Sequence, residues 1–124
     1  MTFKLKTSKR TMEIFRGIES SQGLQPFILS KLAIALSIRN GSLSEADYKT
    51  DNEGLELNRQ TIFSEYDLLF RTLIEMTTKK HIAEEEYFPK TVKAHLDRGA
   101  VLLANENKYS KDFYNHLCSL DAGI

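Results

Sequence analysis

Residues 8–40 read SKRTMEIFRGIESSQGLQPFILSKLAIALSIRN, and this stretch decides the fold. Ser8 stands just before a periodic segment, where a short side-chain oxygen accepts from the unpaired N–H groups that open a helix. Met12, Phe15 and Ile18, joined by Ile14, recur at helical spacing and predict a first helix from Lys9 to about Ser21. Gly23 falls where a helix closes through a left-handed residue. Pro26 suits the first turn of a new helix, because the N–H it lacks would be unpaired there. Leu29, Leu32, Ala33 and Leu36 make one apolar face, widened by Ile28 and Ile34. A second, largely buried helix therefore runs to about Arg39 and stops at Asn40-Gly41.

Upstream, Phe3-Lys4-Leu5-Lys6-Thr7 alternates apolar and basic, the period of a short half-buried strand or extended arm. Downstream, residues 40–58 are polar and acidic, with Gly41, Gly54 and Asp51-Asn52, and predict a loop or short extended pieces. Ser64 is placed to cap a third helix, with Glu65 and Asp67 in its first turn and a stripe of Tyr66, Leu69, Phe70, Leu73 and Met76. Lys79, Lys80 and His81 suit the negative end of that helix. Glu84-Glu85-Glu86 begins a turn or leads into a fourth helix whose first turn is marked by Pro89. Val92, Leu96, Leu102 and Leu103 line that helix to about Ala104, before a break at Asn105-Glu106-Asn107. Ser110 then caps a last short helix carrying Phe113, Leu117 and Leu120. Sixteen Leu and nine Ile against two Val agree with helices. The expected fold is mainly α: a compact single domain over residues 1–124, a bundle of about five helices with a short N-terminal strand or arm.

The chain of 124 residues is one domain's worth, and 41% hydrophobic with 27% charged residues excludes collagenous and wholly disordered classes. No run approaches the roughly 18 apolar residues of a membrane-spanning helix, and MTFKLKTSKR lacks the apolar core of a secretory signal. The single Cys118 excludes an internal disulfide framework and fits a reducing cytoplasm. Seventeen basic and seventeen acidic side chains cancel, but they are not evenly spread. Residues 1–40 hold seven Lys/Arg against two acids, residues 41–88 five against eleven, and residues 89–124 five against four. A basic first third joined to an acidic middle is the pattern of polyanion contact or of complementary self-association, against the plainer reading of a solvated surface.

Chemistry narrows the field. No two of His81, His95 and His116 have the i, i+4 spacing of a helix-borne metal pair, and Cys118 has no CxxC partner. Neither GxGxxG nor GxxxxGK[ST] is present, so no phosphate loop for autonomous nucleotide chemistry is expected. Glu84-Glu85-Glu86 is a run rather than a spaced acid–base pair. Cofactors and metals are therefore expected to be absent and the protein to be no enzyme. Polyanion binding survives: Lys4, Lys6, Lys9, Arg10 and Arg16 lie on one arm and one helix, with Lys31 and Arg39 on the next. Cations so grouped release counterions from DNA phosphates and give sequence-independent affinity. The N-terminus of the second helix, near Gln25-Pro26, offers further free N–H groups. Few aromatics interleave these cations, which favours backbone contact on a duplex over base stacking. The strand followed by two helices also has the layout of a ribbon-helix-helix protein, in which strands from two chains pair, unless Phe3 and Leu5 dock on the domain's own core.

Several stretches together resemble the DndE family of DNA sulfur modification proteins: Thr7-Ser8, Arg10-Thr11, Gly23-Leu24, Pro26 and Leu32-Ala33; then Glu56, Asn58-Arg59, Thr61, Glu65 and Asp67; then His95-Leu96, Arg98-Gly99 and Leu102-Leu103. The resemblance spans about residues 7–103. It implies a cytoplasmic system in which non-bridging phosphate oxygens of DNA are replaced by sulfur. A desulfurase, an iron–sulfur protein and an ATPase-type partner act there alongside a small helical accessory protein that binds duplex or nicked DNA and self-associates in some cases. It makes Asn58, Arg59, His95 and Arg98 candidate contacts to a phosphate or a partner. Each also has a structural reading: Asn58 bonding loop backbone, Arg59 pairing with Glu65, and Gly99 beside Arg98 serving close helix packing. The leading expectation is an accessory DNA-binding subunit. The alternative is a non-catalytic scaffold that assembles the modification complex, as a homo-oligomer or with other subunits, and without a membrane role.

Overall fold

A computed structural model describes residues 3–108. Ser8 caps α1 (Lys9–Gln22) as its position predicts, its Oγ accepting from the Thr11 N–H at 3.1 Å. Gly23 closes the helix at φ 72°, a left-handed conformation that glycine adopts without steric cost. Pro26 opens α2 (Pro26–Arg39) in the first turn. The α1 core face is Thr11, Phe15 and Ile18; that of α2 is Leu29, Ser30, Ala33, Ile34 and Ser37.

β1 (Lys4–Lys6) pairs antiparallel with β2 (Glu56–Asn58), so that Lys4 faces Asn58, Leu5 faces Leu57 and Lys6 faces Glu56. The strand partner is thus within the chain, and Leu5 is buried in the core while Phe3 stays exposed. This replaces the ribbon-helix-helix layout by a local two-stranded ribbon. The acidic loop between α2 and β2 contains a 3-10 turn at Glu45–Tyr48 whose Ser44 and Asp47 form a reciprocal cap. At Gly54 the loop runs so close to the start of α1 that an added Cβ would lie 2.1 Å from the Ser8 carbonyl oxygen.

The middle of the chain departs from the sequence expectation. Ser64 does not open a helix. It ends a short one, α3 (Arg59–Phe63), at φ 53°, and a 3-10 turn over Ser64–Tyr66 leads into α4 (Asp67–Thr78). Asn58 is the residue that caps α3, accepting from the Gln60 N–H at 3.0 Å. The predicted stripe of α4 mostly faces outward: Tyr66, Leu69, Leu73 and Met76 are exposed, Phe70 is half-buried against Phe63, and Ile74 is the buried residue. A kinked segment, Glu86–Thr91, carries a cis Phe88–Pro89 bond and buries Tyr87 and Phe88. α5 (Val92–Lys108) continues through Asn105-Glu106-Asn107, where a break was expected. The proposed helix over Ser110, Phe113, Leu117 and Leu120, with His116 and Cys118, lies outside the described residues.

α2 and α5 form the central pair. They approach at Gly99, where an added Cβ would sit 1.7 Å from the Ala33 carbonyl oxygen. Around this contact Val92, Leu96, Ala100 and Leu103 meet Leu29, Ala33 and Ile34 in one core. Among the described residues no helix is long and apolar enough to cross a membrane.

Candidate nucleic-acid interface

The alternation in β1 sends Leu5 inward and leaves Lys4 and Lys6 exposed on the other face. On α1 the buried face of Thr11, Phe15 and Ile18 puts Lys9, Glu13 and Arg16 on the opposite, solvent side, with Arg10 beside them. Lys4, Lys6, Lys9, Arg10 and Arg16 are all exposed, and among the described residues none makes an ion pair. Five cations from thirteen consecutive residues therefore share one strand-to-helix surface.

The two α2 cations stand apart from that group. Lys31 is half-buried, its Nζ 5.3 Å from the centre of the Phe27 ring. Arg39 is exposed at the opposite end of α2, about 12 Å further along the axis by the helical rise, in a cleft with Leu36, Asn40 and Leu102. Gln25, the N-cap of α2, makes no side-chain capping bond, and the first turn holds no acid.

The acidic middle of the chain folds back onto this basic region. The Asp51 carboxylate accepts from the Lys9 N–H at 2.8 Å and from the Glu53 N–H at 3.0 Å. Those two bonds, the one from Lys9 foremost, hold its pKa below the ordinary carboxylate value. Glu56 stands directly across from Lys6. Asp97 of α5, buried, accepts from the Ser8 N–H at 3.1 Å, the Thr11 hydroxyl at 2.6 Å, the Thr50 hydroxyl at 2.6 Å and Lys93 Nζ at 2.6 Å. The site's backbone is thereby fixed to α5 at the very start of α1.

The remaining four candidates hold the fold. Asn58 caps α3, as described. Arg59 pairs with Asp67 at 2.8 Å and with Glu84, rather than with Glu65, and its guanidinium lies 5.2 Å from the ring centres of Tyr87 and Phe88. Burial opposes its charge, but the bonds from Glu84 and Asp67 outweigh that and raise its pKa. Arg71 shares Glu84 at 2.6 Å and also donates to the Ile82 carbonyl at 2.8 Å. The Arg59 bond, foremost, holds the Glu84 pKa below its usual value. Arg98 reaches from α5 to the C-terminal end of α2, donating to Ser37 Oγ at 2.8 Å and to the carbonyls of Ser37, Gly41 and Ser42. His95 is buried, with Nδ1 2.7 Å from Ser37 Oγ. Because Arg98 donates to that hydroxyl oxygen, the hydroxyl hydrogen is directed to Nδ1, and His95 carries its own hydrogen on Nε2, which has no partner. Burial, with the Arg98 charge second, pushes the His95 pKa down to about 4, so the ring is neutral at pH 7.

Sequence reasoning missed Asp97, whose four partners lie 4 to 89 residues away. An isolated acid four residues after Lys93 on an otherwise apolar helix face was the available signal.

Comparison with known proteins follows from this geometry. A family model described as DNA sulphur modification protein DndE matches residues 4–111. Among solved structures the chain is similar to DndE from Escherichia coli B7A, described as involved in DNA phosphorothioation modification, at 21% identity and a TM-score of 0.66, over 83% of this chain and 97% of that one. It is also similar to a DndE G21/24K mutant, at 17% identity and a TM-score of 0.64, over 82% of this chain and 97% of that one. Identities this low show a shared fold. No curated protein matches.

Proposed function

This chain belongs to the DndE family of DNA sulphur modification proteins, and on that footing we propose that it is a non-catalytic, cytoplasmic accessory subunit of DNA phosphorothioation that holds duplex or nicked DNA by its sugar-phosphate backbone. The observation that carries this reading is the run of Lys4, Lys6, Lys9, Arg10 and Arg16, exposed and without an ion-pair partner among the described residues. Cations held this way cost little to move onto phosphates, and each one that does so releases condensed counterions. Arg39 and the half-buried Lys31 extend the surface along α2. The side chains of Arg59, His95 and Arg98 are committed to internal partners, so in this reading they support the surface from behind.

The test is an anisotropy titration of the purified protein with intact and nicked duplexes at two salt concentrations. Neutralising Lys6, Lys9 and Arg10 together is expected to weaken binding and to flatten the slope of log K against log salt by about 2.7, at roughly 0.9 per phosphate contact. Unchanged affinity and slope in the triple variant remove these residues from the site.

A second reading, a scaffold that assembles the modification complex without binding DNA itself, is favoured by one observation. Leu68 is 76% and Met76 67% exposed, and with Leu69 and Leu73 they form a continuous apolar face on α4. Another subunit of the system is the occupant this reading assigns. Co-purification with that subunit, lost on changing Leu69 and Met76 to Gln while DNA affinity is nil, supports it.

A further inference from the structure

An open cleft of about 570 Å³ lies on a part of the molecule that the basic N-terminal surface does not include. Three lysines from three separate segments line it. Lys49 follows the 3-10 turn, Lys80 lies two residues past the end of α4, and Lys90 follows Pro89. All three are exposed, and among the described residues none is in an ion pair. Glu45 and Glu86 line the same cleft, so the side chains there sum to one net positive charge. Tyr48 supplies an aromatic ring that is 38% exposed, with Lys90 Nζ 5.6 Å from its centre. Leu43 and Ile82 add apolar lining, and Thr78 and Thr91 hydroxyl-bearing side chains.

Ammonium groups for a phosphate, a ring for a base and apolar lining between them are the elements of nucleotide recognition. The volume matters for the choice of ligand. Pockets of roughly 300–1,000 Å³ enclose one ligand the size of a small molecule, which fits a single nucleotide and not a duplex. We infer that this cleft binds one unstacked nucleotide, its phosphate on Lys49, Lys80 and Lys90 and its base against Tyr48. The site deepens the proposed DNA-binding function and rests on it: the duplex lies on the basic N-terminal surface, and a nucleotide freed at a strand end or break enters the cleft. A free nucleoside monophosphate has the same chemistry, and the experiment separates the two sources.

The experiment measures anisotropy of a labelled single-stranded oligonucleotide and of the matching duplex, with the full chain, in competition with thymidine monophosphate and with inorganic phosphate. Changing Lys49, Lys80 and Lys90 together to Gln is expected to weaken single-strand binding at least tenfold and to lower its salt slope by about 2, at roughly 0.7 per phosphate contact. Tyr48→Ala weakens it by about tenfold through lost stacking, whereas Tyr48→Phe retains it. Both variants leave duplex affinity within about twofold of the parent, taking contacts on separate surfaces to be additive. Displacement of the strand by thymidine monophosphate, sensitive to Tyr48→Ala, assigns the cleft to free nucleotides as well; failure of that displacement assigns it to strands alone. Single-strand binding that is absent, that survives the lysine variant, or that inorganic phosphate displaces as well as the nucleotide overturns the inference. The variant neutralised at Lys6, Lys9 and Arg10 separates the two sites. If it keeps full duplex affinity while single-strand binding still depends on Tyr48, the N-terminal reading fails and the cleft stands.

Discussion

At the scale of single residues, His95 and Arg98 decide how the central helix pair responds to conditions. The His95 ring is buried and neutral, with a pKa pushed down to about 4. The unfolded chain returns it to about 6.5. Between those values the unfolded state binds the extra proton and the folded state does not, so acid favours unfolding. Stability is whole above about pH 6.5 and is lost as the pH falls toward 4, by up to about 3 kcal/mol for a shift of this size. His95→Gln removes the titration, so its melting temperature is expected to change less between pH 7 and pH 5 than that of the parent. An equal drop in both proteins would assign the acid sensitivity elsewhere. Arg98 gives a second residue-scale prediction. Its planar fork serves four oxygens at the end of α2, one hydroxyl and three carbonyls. Lysine keeps the charge but not the fork, so Arg98→Lys is expected to cost about 2 kcal/mol in denaturant unfolding, from the net worth of the bonds it cannot make. The roles of both residues were beyond a sequence reading, because Ser37 lies 58 residues from His95 and 61 from Arg98.

At the scale of elements, two glycines in helices have opposite expectations. At Gly99 the obstacle to a side chain is the Ala33 carbonyl oxygen at 1.7 Å, which is backbone, so no shorter side chain opposite relieves it. Gly99→Ala forces α2 and α5 apart and is expected to cost more than about 3 kcal/mol, the scale of severe overpacking. Gly17, exposed within α1, has nothing within 4 Å of an added Cβ. Gly17→Ala is expected to stabilise by about 0.5–1 kcal/mol through backbone entropy and helix propensity. Urea unfolding of both variants checks the pair, and a destabilised Gly17→Ala would mean that α1 carries a contact on its outer face. The same elements show what a sequence makes legible. α1 and α2 were readable to within a residue because Ser8, Gly23, Pro26 and Asn40-Gly41 mark their ends by local chemistry. α4 was readable as a helix but not in orientation: Leu69, Leu73 and Met76 repeat like a core stripe, and periodicity does not say on which side the partner lies. Asn105-Glu106-Asn107 looked like a stop on propensity, a weak local bias that a helix anchored by buried Leu103 and Ala100 overrides.

At the scale of the whole molecule, the charge asymmetry along the chain and the charge pattern in space are different things. The exposed cations of the N-terminal surface are local in sequence, which is why the candidate surface was legible. What composition hides is that the acidic segment is not a separate lobe. Asp67 and Glu84 are taken up by Arg59 and Arg71 inside the fold, Asp51 is spent on the Lys9 backbone N–H, and Glu56 returns to face Lys6. Glu56 is therefore the acid that most directly opposes a phosphate approaching β1. It is exposed and makes no ion pair among the described residues, so replacing it disturbs no packing. Glu56→Gln is expected to raise duplex affinity about two- to fivefold at low salt, the size of one screened unit charge at close range. The gain shrinks toward nothing as added salt shortens the Debye length. It should appear mainly in the association rate, as a change in long-range steering does. An affinity unchanged at low salt would mean that DNA does not approach over β1, and that Arg10, Arg16 and the α2 cations carry whatever binding remains.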